Sequence, residues 1–382
     1  MLTAACRMLG LCLVVLCAAT AAHADVIDED DRVEVPQEYR RLAEGVGLLY
    51  NTNASFACTA FCVARDVIAT NAHCLIRQRV DAKPVMSKDF RFSLHGPLAG
   101  YEESRLTLRA VSDDQPRLSF AAGGFSNGAS ISSQAGDWAF AKLQFGICEK
   151  RELKIGEADI DELTKAGRDK RLFMIGYHGD KMLVEKWLSP DCTVRSPEDR
   201  KYFLPSQRRE MRRAGVQLPH TCDMTEGASG SPIFLKEPES EDYSVVAINS
   251  GSVGHVRYRE SANGRSRKVL ARNVTNLSVM STAFARQLER FSGEDLLHDI
   301  EDFRQLQALL KEKGYYRSKI DGLYGPGTRA AIVAREKELG LVSLGMPTLS
   351  LLRDLELELR PRYILPIDPE AASARFDTSP HP

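Results

Sequence analysis

Three short motifs carry side chains able to do covalent chemistry on a carbonyl group: Thr70-Asn71-Ala72-His73-Cys74, Gly136-Asp137-Trp138-Ala139 and Gly227-Ala228-Ser229-Gly230-Ser231-Pro232. A Ser between glycines lets the backbone approach a substrate closely, so the amides of Gly227 and Ser229 are candidates for an oxyanion hole. His73 is the residue type that can take the Ser229 proton near neutral pH and return it to a leaving amine. Asp137 would hold the productive tautomer of that imidazole. Taken singly, each has an ordinary alternative: a core His, a turn Asp, a loop Ser. The order His, Asp, Ser, with a Cys adjoining the His and a Pro after Ser-Gly-Ser, favours catalysis. An esterase of the α/β-hydrolase type is disfavoured, because it needs Gly-x-Ser-x-Gly and the order Ser, Asp, His. Here Ser231 occupies the final Gly position.

The intervals 73–137 and 137–229 are long enough to place each motif on a different part of a large β fold. Residues 46–248 alternate short apolar runs with polar, turn-rich stretches, the pattern of short strands in a closed or sandwiched sheet. Examples are Phe56-Ala57-Cys58-Thr59-Ala60-Phe61-Cys62-Val63, Asp66-Val67-Ile68-Ala69-Thr70, Trp138-Ala139-Phe140-Ala141-Lys142-Leu143, Arg171-Leu172-Phe173-Met174-Ile175-Gly176-Tyr177 and Tyr243-Ser244-Val245-Val246-Ala247-Ile248. Residues 198–217 interrupt the pattern with Arg208-Arg209-Glu210-Met211-Arg212-Arg213, read as a solvated loop or short surface helix. Past Ser281, Phe284, Leu288 and Phe291 recur at helical spacing, and Ser292-Gly293 supplies a stop. Phe303, Leu306, Leu309 and Leu310 mark a second helix ending at Gly314, and a third runs from Ala330 to Leu339. A small three-helix unit is expected over 294–355, with a mobile Pro-containing tail over 356–382.

The chain has 382 residues and a formal net charge of -1, which argues against a general nucleic-acid binder. Arg7, the apolar run from Met8 to Cys17 and the small residues around Ala22-His23-Ala24 read as a signal peptide over 1–24. The run is short for a membrane span and the acidic Asp28-Glu29-Asp30-Asp31 follows, so export to the periplasm or beyond is expected, with no span after cleavage. The remaining six Cys (Cys58, Cys62, Cys74, Cys148, Cys192 and Cys222) then suit disulfides, though spacing fixes no pairing. No Cys-x-x-Cys pair supports a zinc site, and no metal or cofactor is expected, since Ser, His and Asp need none.

Residues 40–290 resemble the trypsin-like (chymotrypsin-fold) serine peptidases. The three motifs look like that family's Thr/Ser-Ala-Ala-His-Cys, Asp-Ile/Trp-Ala-Leu and Gly-Asp-Ser-Gly-Gly-Pro. The resemblance implies an all-β double β-barrel, a His73–Asp137–Ser229 triad and a protein or peptide substrate. It also implies a Cys58–Cys74 disulfide beside the His, and Cys192–Cys222 as the next bridge. Cys62 and Cys148 could equally be buried thiols. Ala228 stands where animal members keep the Asp that binds a newly cut N-terminus, so that activation switch is not expected. Gly-x-Ser-Gly-Ser-Pro and Ala247-Ile248-Asn249-Ser250-Gly251 look more like the bacterial glutamyl-endopeptidase-like branch, with Asn249, Ser250 and Gly251 as candidate pocket residues. That branch has a His where Asn249 lies, so its acidic preference does not carry over. Asp223 would favour Arg or Lys if it lined the pocket; a structural Asp on the turn after Cys222 is the favoured alternative.

Residues 294–355 resemble the small helical peptidoglycan-binding domains of bacterial cell-wall enzymes, on Leu306-Gln307, Gly314-Tyr315-Tyr316, Ile320-Asp321-Gly322-Leu323-Tyr324-Gly325-Pro326-Gly327-Thr328-Arg329 and Gly340-Leu341. Asp321 and Thr328 read first as turn and helix caps. Tyr316, Tyr324 and Arg329 are candidate ligand contacts, since aromatic faces and a fixed cation suit glycan and carboxylate groups. Arg335-Glu336 departs from the family's usual Phe-Gln and is expected to remodel one edge of the core or groove. The expectation is therefore an exported serine endopeptidase held at peptidoglycan. A binding protein of the cell envelope that keeps the fold without catalysis is the alternative, motivated by Ala228, Asn249 and Arg335-Glu336.

Overall fold

A computed structural model describes residues 26–52, 56–75, 90–96, 102–106, 108–109, 117–118, 120–123, 131–260 and 266–359. The expected leader and the stretch beyond 359 lie outside the described residues.

A two-residue strand, β1 (Val33–Glu34), and a short helix, α1 (Arg40–Glu44), precede a first sheet. That sheet comprises β2 (Val46–Asn51), β3 (Phe56–Ala64), β4 (Val67–Thr70), β5 (Phe90–Ser93) and β6 (Glu103–Arg105). A separate pair, β7 (Leu108–Arg109) and β8 (Arg117–Leu118), follows, and then β9 (Phe120–Ala122) and β10 (Ala139–Lys142) complete the sheet. Its order is β6-β5-β2-β3-β4-β10-β9, antiparallel throughout. Leu106 bridges Leu143, and the Gln144 N–H donates to the Arg105 carbonyl at 2.9 Å, so β6 meets β10 and six strands close into a barrel.

The second sheet uses β11 (Leu172–Tyr177), β12 (Lys186–Ser189), β13 (Gln217–His220), β14 (Pro232–Lys236), β15 (Tyr243–Glu260) and β16 (Ser266–Met280), in the order β1-β12-β11-β14-β15-β16-β13. Val194 bridges His220, and the Arg195 N–H donates to the Pro219 carbonyl at 2.9 Å, which closes the second barrel in the same way. Closure leaves few exposed edges.

The strands read as continuous apolar runs because both of their faces are buried. Along β10, Ala139 and Ala141 face the interior of the first barrel while Phe140 joins a layer shared between the barrels. Along β11, Leu172 and Met174 face the second interior, and Phe173 and Ile175 the shared layer. Three disulfides staple these parts: Cys58–Cys74, Cys62–Cys148 and Cys192–Cys222. Cys62 and Cys148, left open by the sequence, are thus bridged.

Short helix α2 (Ala72–Leu75) follows β4, α3 (Ile131–Gln134) precedes β10, and α4 (Ile160–Arg168) opens the second half. Residues 205–214 form helix α5 (Pro205–Ala214). It is not merely solvated: Met211, with Phe203, packs against Ile131, Val253 and Leu277, and Glu210 accepts from the Ile131 N–H at 2.9 Å. Apolar residues at single positions in a charged run carried no periodic signal.

The C-terminal part holds α6 (Ala285–Gly293), α7 (Ile300–Glu312), α8 (Pro326–Glu338) and α9 (Leu349–Leu359). Helix α9 runs four residues past 355, where the tail was expected to begin, because Leu351, Leu352 and Leu355 close the helical core. Gln307 organises the loop before α8: its Oε1 accepts from the Asp321 and Gly322 amides at 3.0 and 2.9 Å, and its amide faces the Thr328 hydroxyl and the Leu323 carbonyl. The helices are welded to the barrels. Leu296, Leu344 and Met346 join the shared layer with Trp138, Phe140, Phe284, Leu288 and Phe291. Glu336, fully buried, pairs with Arg290 of α6 at 2.8 Å and accepts from the Gly345 N–H at 2.8 Å. No helix among the described residues is long and apolar enough to cross a membrane.

Candidate active site

His73 sits in α2, directly after β4, and Asp137 directly before β10; these strands are paired, with Thr70 opposite Ala139. Register therefore sets the two side chains together. Asp137 Oδ2 lies 2.7 Å from His73 Nδ1, and Asp137 Oδ1 accepts from the His73 backbone N–H at 2.9 Å. The Asp is buried, with 3% of its side chain exposed, while His73 keeps 27% exposed. Asn71 donates its side-chain amide to the Asp137 carbonyl at 2.7 Å, so the backbone beneath the carboxylate is held as well.

The Ser229 turn arrives from the second barrel. Gly227 and Gly230 have φ of +95° and +87°, which L side chains rarely adopt. A Cβ on Gly230 would lie 2.0 Å from the Thr59 carbonyl oxygen and 2.4 Å from Thr70 Oγ1, so only glycine allows this approach. Thr59 is the hub. Its N–H donates to the Ser229 carbonyl at 2.8 Å, its hydroxyl to the Gly227 carbonyl at 2.9 Å, and its Oγ1 accepts from the Tyr177 N–H at 3.0 Å. Cys58, its neighbour, is bridged to Cys74, which follows His73, so one staple ties the docking point of the Ser229 turn to the histidine. Cys58, His73 and Cys74 cluster within 4.8 Å, but with both sulfurs in a disulfide the cluster offers no thiolate and is no metal ligand set.

The 226–227 peptide is fixed on its other side. The Gly179 N–H donates to the Glu226 carbonyl at 2.5 Å, and the Ala228 N–H to the Thr225 carbonyl at 3.0 Å. Among the described residues no backbone carbonyl accepts from the Gly227 or Ser229 amides. Donors left free in a held turn are what an oxyanion hole requires.

Asn249 is fully buried behind the turn, its side-chain amide donating to the Ala228 carbonyl at 2.9 Å. It lies beside His220, whose ring burial drives down to about 3. Ser250 donates its hydroxyl to the Leu277 carbonyl at 3.1 Å, and Gly251 faces Gln134 of α3. Asp223 points elsewhere: its two oxygens accept from the Ile27 and Asp31 amides at 2.8 and 3.2 Å, so the carboxylate is committed to the N-terminal segment. Tyr316 is buried and donates to the Lys319 carbonyl at 2.7 Å, Tyr324 donates to the Gly345 carbonyl, and Arg329 donates to the Ala122 carbonyl at 3.1 Å. All three are used inside the protein.

Residues 58–248, half of the 382, match the trypsin-like peptidase domain family, over the span that holds all three motifs. The chain belongs to the trypsin-like peptidases. Residues 300–352 match a second family, the peptidoglycan binding domain. No curated protein matches. A solved structure described as a Glu endopeptidase in complex with MPD is 17% identical, with 70% of this chain and 100% of that chain covered and a TM-score of 0.46. So distant a likeness says nothing about substrate. The residues that the sequence did not single out for a role, Thr59, Asn71 and Gly179, act through backbone bonds to partners distant in sequence; Asn71 alone lay within a recognised motif.

Proposed function

We propose that this trypsin-like peptidase is an exported serine endopeptidase that works through His73, Asp137 and Ser229. The observation carrying the proposal is the double hold of Asp137 on His73, which leaves Nε2 as the basic nitrogen. His73 Nε2 takes the Ser229 proton as Oγ attacks the scissile carbonyl. The Gly227 and Ser229 amides bind the oxyanion, and collapse sends the proton from Nε2 to the leaving amine. Water then repeats the sequence on the acyl-enzyme and frees Ser229. From Ser250 onward β15 pairs only with β16 among the described strands, an edge on which an extended peptide could lie as an added strand. Asp223 is tied to the N-terminal segment, which removes the argument for a basic residue before the cut.

The C-terminal helices, by their family match, would hold the peptidase at peptidoglycan. Because they are packed on the first barrel, the wall would be met by the whole molecule rather than by a tethered module. Retention of the full chain on purified sacculi, absent for a chain ending before Glu294, tests this. Cleavage of a peptide library by the wild type and none by Ser229→Ala tests the peptidase reading; cleavage persisting in the variant would overturn it.

A further inference from the structure

Arg32 stands just ahead of β1, and only 1% of its side chain is exposed. Its Nε and Nη2 donate to the two oxygens of Asp30 at 2.7 and 2.8 Å, and its Nη1 and Nη2 to those of Asp180 at 3.0 and 2.6 Å. Asp180 also accepts from the Thr225 hydroxyl at 2.7 Å. Burying the guanidinium costs desolvation even though Asp30 and Asp180 each keep 40% of their side chains exposed, and the segment has other anchors: β1 pairs with β12, and Asp223 takes two of its amides.

The tie acts on a specific peptide. Asp180 is next to Gly179, whose N–H holds the Glu226 carbonyl at 2.5 Å. In a trans peptide the carbonyl and the following N–H point in opposite directions, so that bond sets which way the Gly227 N–H faces. Thr225, one residue before Glu226, is held by the same carboxylate. The Glu226–Gly227 peptide is thus gripped from both sides through one acid, and Arg32 fixes the acid. Gly179 has no room to be otherwise, since a Cβ there would lie 2.9 Å from the Glu226 oxygen.

We propose that Arg32 is a positioning residue for the oxyanion hole, acting through Asp180 to orient the Gly227 N–H toward the reacting carbonyl. The proposal rests on Ser229 being the nucleophile. Its test is steady-state kinetics of the full chain on a peptide substrate, comparing the wild type with Arg32→Met, Arg32→Lys, Asp180→Asn, Arg32→Met/Asp180→Asn and Ser229→Ala. Losing an oriented oxyanion donor lowers kcat and spares ground-state binding. Arg32→Met is expected to lower kcat by about 10- to 100-fold with KM within about 2-fold. Arg32→Lys should recover part of the loss. The double variant should be no worse than either single, because both act through one link.

Wild-type kcat in Arg32→Met, or a rise in KM with kcat unchanged, would overturn the positioning role while leaving the nucleophile intact. Wild-type cleavage by Ser229→Ala would instead sink the reading on which the proposal rests. Should Arg32→Met fail to fold, Thr225→Val removes one hold on Asp180 with little change of shape. A kcat loss of about 3- to 10-fold at unchanged KM supports the proposal, and no loss overturns it.

Discussion

Asp137 grips His73 at two points, one oxygen on the backbone N–H at 2.9 Å and the other on Nδ1 at 2.7 Å. Position and tautomer are therefore set by the same carboxylate. In Asp137→Asn the amide oxygen can keep only one of these bonds, and an NH2 facing Nδ1 would favour the wrong tautomer. A kcat loss of about 10³- to 10⁴-fold with little change in Tm is expected in peptide hydrolysis.

The Ser229 turn depends on glycine at position 230. Gly230→Ala combines a φ of +87° with a Cβ 2.0 Å from a backbone oxygen, and is expected to cost about 2–4 kcal/mol in urea unfolding and to abolish activity. Gly340→Ala is the control: φ is +67° but nothing lies within 4 Å of the added methyl, so a cost of about 1 kcal/mol without loss of activity is expected.

Glu336 ties the helices to the barrels from a fully buried site. Its carboxyl is pushed up by burial and held down in part by Arg290 and the Gly345 amide. Removing Arg290 strands the fully buried Glu336: Arg290→Ala should lower stability by about 3 kcal/mol or more, and Glu336→Ala less, since Arg290 keeps its pairing with Glu294. Denaturant midpoints of both singles and the double give the coupling, expected to be about 1–3 kcal/mol.

Asp31 carries a pH signature. Burial, the facing Asp223 carboxylate, and Asp30 and Asp191 nearby push its carboxyl from 3.8 up to about 6. The folded chain then binds this proton more tightly than the unfolded one, so stability falls as the pH rises from about 4 through 6 and stays lower above. Asp31→Asn keeps the backbone N–H on Asp223 and removes the charge. Because the residue keeps a solvent-exposed surface and its carboxyl is only partly desolvated, the gain is modest: a Tm rise of about 1–3 °C at pH 8, vanishing by pH 4, in thermal melts.

The fold could be read from the chain where burial is two-sided and local. The runs around Phe61, Phe140 and Met174 look like buried strands and are strands, and Phe284, Leu288 and Phe291 mark a real helix. Strand spacing alone left a closed or a sandwiched sheet open; the double barrel followed from the family resemblance, and the contacts that close it, Leu106 with Leu143 and Val194 with His220, carry no local signal. The Cys62–Cys148 bridge escaped for the same reason, its ends being 86 residues apart. Within the site, His73, Asp137 and Ser229 announce themselves by flanking glycine, cysteine and proline. Arg32 does not: its partner Asp180 is 148 residues away, and a lone Arg beside acids reads as solvated surface. Tyr316, Tyr324 and Arg329 stand out in the sequence as candidate ligand contacts, and the internal bonds each makes, to Lys319, Gly345 and Ala122, were not legible there because two of them reach partners 21 and 207 residues away.

Covalent labelling of Ser229 tests the central claim most directly. Full-length protein treated with a fluorophosphonate near pH 8 should gain one adduct, located by peptide mass spectrometry on Ser229, and Ser229→Ala and Asp137→Asn should lose or strongly slow it. A folded wild-type chain that stays unlabelled, or that carries the adduct on another residue, would contradict it.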